Sequence, residues 1–346
     1  MRGIALPGTG WLPWVLAGLA SLGLLGLAVA IAMTVGEMRI PLRVALQALG
    51  NGLFDLGYAV NPIQQGVLLD YRLSRALFAA SCGGALAVCG VTLQALLRNP
   101  LAEPYLLGIS AGASTGAVAV MVLGLGGAVL GVSGGALLGA ILALLTVALL
   151  AAGAGGASER VILSGVAASQ IFNAATATVV TTFASAEQAR GVMFWLLGSL
   201  GGVRWPDVWL AAPVTLAGFA ICLVHARTLD AFTFGEDAAA SLGVSVPRVR
   251  LVLFGTTAAM TAIMVSIAGA VGFVGLLIPH AVRLIVGPRH SRLLPAALVT
   301  GAVFLVLADI LSRVLIARQV VPIGVVTALF GAPAFALILT RVRRSA

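Results

Sequence analysis

The side chains able to do chemistry in this chain of 346 residues are few, and most are arginines. All 20 basic residues are arginine and none is lysine. A P-loop needs its lysine on the β/γ-phosphates, so a nucleotide-hydrolysing site of that kind is excluded. Cys82 and Cys89 lie seven residues apart on one helix face, and Cys222 sits in another apolar run. None has metal-ligand spacing, and all three read as small core residues. His225, His280 and His290 are scattered and form no HExxH. With no clustered His, Cys or carboxylate set, no catalytic or metal site is expected, and a membrane enzyme is disfavoured.

The remaining polar groups stand out because their surroundings are apolar. Arg72 and Arg75 open a long apolar run that stops at a polar knot, Arg98-Asn99-Pro100. Ser169, Asn173 and Thr176 follow one another at spacings of four and three, which makes one helical stripe. Polar groups in lipid face protein or a water-filled path, so the stripe reads either as pathway lining or as helix-to-helix hydrogen bonding. Asp309 lies inside an apolar segment and reads as a proton-relay candidate or as a structural partner of Arg313 one turn later. The stretch from Arg227 to Arg250 holds Asp230, Glu236 and Asp237 among its arginines. There Ala238 to Leu242 favours helix, acids precede it and Gly243 stops it, so short helices at the membrane face are expected.

The elements carrying these groups are membrane spans. The chain is 60% hydrophobic and 9% charged, against about 25% charged in a soluble domain. A hydrocarbon core of about 30 Å needs about 20 helical residues. That ruler gives ten segments, at roughly 14–35, 74–97, 104–123, 127–152, 160–184, 206–225, 250–271, 273–287, 295–316 and 322–341. The first is too long for a signal-peptide core and reads as a retained span. The eighth is short and contains Pro279, so it is expected to be kinked or re-entrant. Gly191 to Gly201 is too short to span and reads as a small helix. Gly131, Gly135 and Gly139 stack on one face, for close helix packing.

Ten spans with the N-terminus inside put the C-terminus inside too. Twelve arginines then fall inside and eight outside, a weak positive-inside bias whose cleanest part is the tail Arg341, Arg343 and Arg344. The charge of +9 beside apolar runs suits anionic lipid. No basic stripe with interleaved aromatics is present, so nucleic acid is not an expected partner. Gly90, Pro100 and Gly108 match Gly269, Pro279 and Gly287 at a constant offset of 179. Spans 2–5 would then match spans 7–10, and an offset of five spans inverts the direction, as in the inverted repeats of transporters.

The chain resembles the FecCD family, the permease subunits of ABC importers for iron-siderophores, haem and cobalamin. The resemblance rests on Arg72-Leu73-Ser74-Arg75, the run from Leu93 to Pro104, and Leu107 to Ala113. It continues through Phe194 to Leu200, Gly272 to His280, Ala308 to Arg313 and Pro322 to Pro333. It covers nearly everything from residue 70 onward. One departure is Ser74, where family members often have proline; it bears on how the helix begins.

The resemblance implies an all-α polytopic protein of the type II ABC importer permease fold, a single domain of about ten transmembrane helices with a cytoplasmic coupling loop at 227–248. It implies a homodimer, two copies of a separate ATPase that carries ATP and Mg, and a periplasmic substrate-binding protein. It places the protein in the bacterial inner membrane with both termini cytoplasmic, and gives the chain no cofactor of its own. By the same resemblance, Gly235, Glu236, Asp237, Leu242 and Gly243 meet the ATPase, and Asn99 and Leu101 form the cytoplasmic gate, against an ordinary turn. The stripe of Ser169, Asn173 and Thr176 lines the pathway. Arg72, Arg75 and Arg313 grip carboxylates of the binding protein, against snorkelling of arginine at span ends.

The function expected is therefore a permease powered by a partner ATPase and moving a bulky cargo. Haem is favoured, because the stripe is small and weakly polar; siderophores and cobalamin are the alternatives. A proton-coupled secondary transporter also fits inverted repeats, but Asp309 stands nearly alone as an intramembrane acid.

Overall fold

The computed structural model describes residues 12–36, 38, 40–152, 158–316 and 319–343. Of the arginines used for orientation, Arg2, Arg39, Arg318 and Arg344 lie outside the described residues. Among the described residues the architecture is helical throughout, with one isolated bridge between Ile316 and Gln319. The helices are α1 (Leu12–Thr34), α2 (Leu42–Phe54), α3 (Pro62–Gly66), α4 (Ser74–Leu96), α5 (Ile109–Leu123), α6 (Gly127–Ala152), α7 (Ser158–Phe183) and α8 (Ala186–Leu196). They continue as α9 (Trp205–Val224), α10 (Ala226–Phe232), α11 (Glu236–Ser241), α12 (Val246–Ala268), α13 (Val274–Val286), α14 (His290–Val314) and α15 (Ile323–Arg343). Each of the ten apolar segments overlaps one helix. By length and composition, 6 described helices can cross a bilayer, and four shorter apolar helices accompany them.

Three local features differ from the expectation. First, α4 starts at Ser74 as expected but is not the start of its rod: a π-helical turn, Val67–Leu73, joins α3 to α4 in one continuous rod from Pro62 to Leu96. Ser74 lies within this rod, and its Oγ donates to the Asp70 carbonyl at 2.7 Å. Second, Gly131 is not part of a packing stripe. It breaks α6 at φ 60°, and only Gly135 and Gly139 meet α5. Third, the 179-residue offset does not align like with like. Pro100 lies in a turn, whereas Pro279 lies inside α13. At 13 residues α13 is about 20 Å long, too short for a hydrocarbon core of about 30 Å, and it begins after Phe273 at φ 68°.

Helix α4 is the axis of the bundle. It is buried along nearly its whole length and packs on α9, α12, α13 and α14. Its glycines permit this. A Cβ on Gly83 would overlap the Gly301 carbonyl of α14, and one on Gly90 would overlap the Gly275 carbonyl of α13. In lipid no hydrophobic force drives helices together, so backbones that approach this closely supply the dispersion contact that holds them. The outer helices expose leucine and isoleucine widely, as Leu142, Leu149, Leu163 and Ile171 do.

Candidate functional site

Helices α4 and α14 run antiparallel, and the polar groups gather at their two ends, about 30 Å apart along each rod. At one end Arg75 Nε donates to Asp309 Oδ1 at 2.7 Å, and Arg75 Nη2 reaches the same oxygen at 2.7 Å. Arg313 Nη2 lies 3.1 Å from Asp309 Oδ2. Asp309 is thus the structural partner expected for Arg313, but its stronger partner, Arg75, comes from another helix.

Arg72 and Arg313 do something the sequence did not reveal. Arg313 Nη1 donates to the carbonyls of Ala32 (3.0 Å) and Val35 (2.7 Å). Arg72 Nη1 donates to Met33 O (2.7 Å) and Thr34 O (3.2 Å), and its Nη2 donates to Met38 O. The last carbonyls of a helix have no partner within it. Two guanidinium forks supply those partners for α1 and complement its dipole. The three arginines expected on a docking surface are therefore buried, with Arg72 at 6% and Arg75 at 7% exposure, and are committed to their own chain. They form the wall of an open cavity of about 480 Å³ that Gly36, Met38, Tyr71 and Val320 also line. An exposed cation, Arg204, lies against the lining residue Tyr71: its guanidinium stacks 4.1 Å over the ring, and its Nη1 donates to Val203 O at 2.9 Å. Arg204 lies in none of the motifs read from the sequence.

The opposite end begins where α4 stops. Arg98 takes φ 48°, its N–H bonds Ala95 O (3.3 Å), and the Asn99 N–H bonds Gln94 O (3.2 Å). That is a Schellman ending with arginine in the place glycine usually holds. Asn99 Oδ1 then accepts from the Leu101 N–H at 2.9 Å, so the asparagine itself builds the turn, while the Leu101 side chain is exposed. Glu103, which follows, is half-buried, and burial raises its pKa above the usual carboxylate value.

Beside this turn lie α10 and α11. Gly235 takes φ 115° and Gly243 φ 82°, framing a six-residue helix that leaves Asp237 and Leu242 exposed. Glu236 pairs with Arg250 at 2.9 Å. Asp230, on α10, accepts from the His290 backbone N–H (2.9 Å) and pairs with His290 Nδ1 (2.7 Å). Arg283 donates to Gln94 Oε1 at 3.1 Å. These links join α10 to the start of α14, and α4 to α13. His290 had looked like an isolated histidine, because its partner lies 60 residues away.

The stripe on α7 is divided. Thr176 is buried and meets Thr115 of α5 through a 2.8 Å hydroxyl contact. Ser169 is half-buried and bonds back to Gly165 O (2.8 Å), while Asn173 is exposed on the outer face. Two of the three therefore turn toward α5. Among the described residues no group of three His, Cys, Asp or Glu is placed to hold a metal.

A family model for the FecCD transport family matches residues 24–341. The cobalamin import system permease protein BtuC of Halobacterium salinarum is 41% identical over 285 residues, covering 82% of this chain and 76% of that protein. The Fe(3+) dicitrate transport system permease protein FecD of Escherichia coli is 38% identical over 277 residues, covering 80% and 86%. Among solved structures, an inward-facing metal-chelate type ABC transporter has a TM-score of 0.82 and 28% identity, covering 94% of this chain and 99% of that one. With the family matched along nearly the whole sequence and the helical frame shared with a solved transporter, this chain belongs to the FecCD transport family, as a polytopic membrane permease of an ABC importer.

Proposed function

We propose that this permease carries a bulky metal chelate, with cobalamin or a ferric chelate first among the cargoes. The observation that carries the reading is the likeness, over nearly the full chain, to a cobalamin permease, a ferric dicitrate permease and a metal-chelate transporter. These relatives move haem, which the sequence favoured, behind corrinoids and ferric chelates.

The chain works as a homodimer in the bacterial inner membrane with both termini cytoplasmic. Two ATPase subunits supply ATP and Mg. The exposed α7 face that bears Asn173 looks toward the second copy and the pathway, and Leu101 stands at the inner gate. The α10–α11 segment, with Gly235, Glu236, Asp237, Leu242 and Gly243, seats in the ATPase. Exposed apolar tips support that seat, with Phe234 at 81% and Leu242 at 74% exposure. A periplasmic binding protein docks over the arginine-walled cavity, where Arg204 offers an exposed guanidinium and Arg72, Arg75 and Arg313 set the positive field.

The test is reconstitution in vesicles with the ATPase and the binding protein, offering labelled cobalamin, ferric citrate and haem in turn. ATP-dependent accumulation of a chelate is expected. Steady accumulation by the permease alone, driven by an ion gradient without nucleotide, overturns the reading. Leu242→Arg should abolish ATP hydrolysis stimulated by the binding protein while leaving the fold intact. Unchanged stimulation would remove α11 from the contact.

A further inference from the structure

At the α10–α11 end a cavity of about 300 Å³ opens between the C-terminal end of α4, the turn at Pro100, α13 and the start of α14. Gln94, Arg98, Thr233, Arg283 and His290 line it. Its walls hold hydrogen-bonding capacity that the chain does not use. His290 is 2% exposed, and its Nε2 has no hydrogen-bond partner. Arg283 is half-buried and makes one hydrogen bond through its guanidinium, to Gln94. The Arg98 guanidinium sits beside Gly235 and makes no hydrogen bond or ion pair among the described residues.

Buried polar atoms are nearly always satisfied, so an unfilled one at a polar cavity indicates a missing occupant. The charge balance names its sign. Two guanidiniums face one carboxylate, Asp230, whose Oδ1 is already taken by the His290 ring and backbone. The neighbouring Glu236 and Arg250 neutralise each other. Guanidinium forks match the paired oxygens of a phosphate. With Nδ1–H directed at Asp230, the His290 Nε2 is left as an acceptor. A hydroxyl on the ligand would fill it. Hydrogen phosphate carries one, and so does a phosphoglycerol headgroup.

We propose that this cavity binds a phosphate-type anion, held by Arg98 and Arg283 and oriented by a hydroxyl donated to His290. The occupant bridges the ends of α4, α13 and α14 and the residues after α10, adding to the Arg283–Gln94 and His290–Asp230 bonds there. It therefore clamps α10 and α11 against the ends of α4, α13 and α14. The site is independent of the cargo and of the docking end, so its test stands apart from the transport assay.

The measurement is equilibrium binding of radiolabelled inorganic phosphate to the purified full chain in detergent. It is paired with retention of phosphatidylglycerol against phosphatidylcholine in nanodiscs. Each arm uses the native chain, Arg98→Gln, Arg283→Gln and, as a control for charge alone, Arg190→Gln. Saturable phosphate binding that weakens about tenfold or more in the first two variants, and not in the third, identifies a free anion. Absence of phosphate binding together with selective phosphatidylglycerol retention, lost in Arg98→Gln and Arg283→Gln, identifies a lipid headgroup. Arg98 is exposed and locally unbonded, so its variant reads binding without a folding defect. Loss of neither ligand in these variants, or equal loss in Arg190→Gln, overturns the proposal.

Discussion

Replacing Asp309 with alanine removes the carboxylate that two buried guanidiniums share. Arg75 and Arg313 each expose 8% of their side chains, and Asp309 exposes 1%. Water in the neighbouring cavity reaches only that small exposed part of each guanidinium side chain, so it replaces the lost partner poorly. Deleting one member of a buried ion pair costs about 3–5 kcal/mol, because the remaining charge stays buried and uncompensated. Here two like charges remain, so the upper part of that range is expected. The assay is an SDS titration of the purified chain in mixed micelles, followed by ellipticity and repeated for Arg75→Met and the double variant. Contacting residues couple by about 0.5–3 kcal/mol, so the double variant should be less damaged than the two singles added together. Arg313→Met should cost more than Arg75→Met, since the carbonyls of Ala32 and Val35 lose their donor as well. Salt should change none of these values much, because buried pairs are poorly screened. A cost for Asp309→Ala below about 1 kcal/mol, or strict additivity with Arg75→Met, would refute the account of this cluster. Charge reversal at Arg72 or Arg75 is a poor docking test for the same reason, because such variants disturb the fold before they reach any partner.

Docking is better probed at Arg204: Arg204→Ala should weaken capture of the binding protein and flatten its salt dependence, with an unchanged unfolding midpoint, and unaltered affinity would exclude it. Gly90→Ala should destabilise by about 1–3 kcal/mol, since its Cβ would overlap the Gly275 carbonyl. Gly23→Ala, with open space around it, should be neutral or slightly stabilising; equal costs would contradict the α4–α13 packing. Burial raises the Glu103 pKa, so the folded state holds its proton longer than the unfolded state does. Stability from this group is present below the ordinary carboxylate range and falls as pH rises through the raised value. Glu103→Gln should remove that slope above the ordinary carboxylate range, as read from unfolding midpoints.

Much of the frame was legible in the sequence. Each of the ten apolar stretches overlaps a helix, as 160–184 does with Ser158–Phe183, because apolar length and proline or glycine punctuation act locally. Gly191 to Gly201 overlaps α8, which ends at Leu196. No element was expected over residues 36–73: α2 has 13 residues, below span length, and the π-helical turn has no sequence signal of its own. The short helices expected around Glu236 are present as α10 and α11. The stripe of Ser169, Asn173 and Thr176 was legible as spacing but not as direction, because which face of α7 meets α5 depends on where α5 lies.

The sequence by itself determined the solvent, the helical class, the family and the absence of lysine-based nucleotide chemistry, since composition and local runs decide these. Tertiary structure alone decided what the polar groups do. Arg75 finds Asp309 across 234 residues, Arg313 caps a helix 278 and 281 residues earlier, and His290 reaches back 60 to Asp230. Partners at such separations leave no periodic mark, because a buried charge is answered by whatever folding brings within about 3 Å of it, not by its neighbours along the chain.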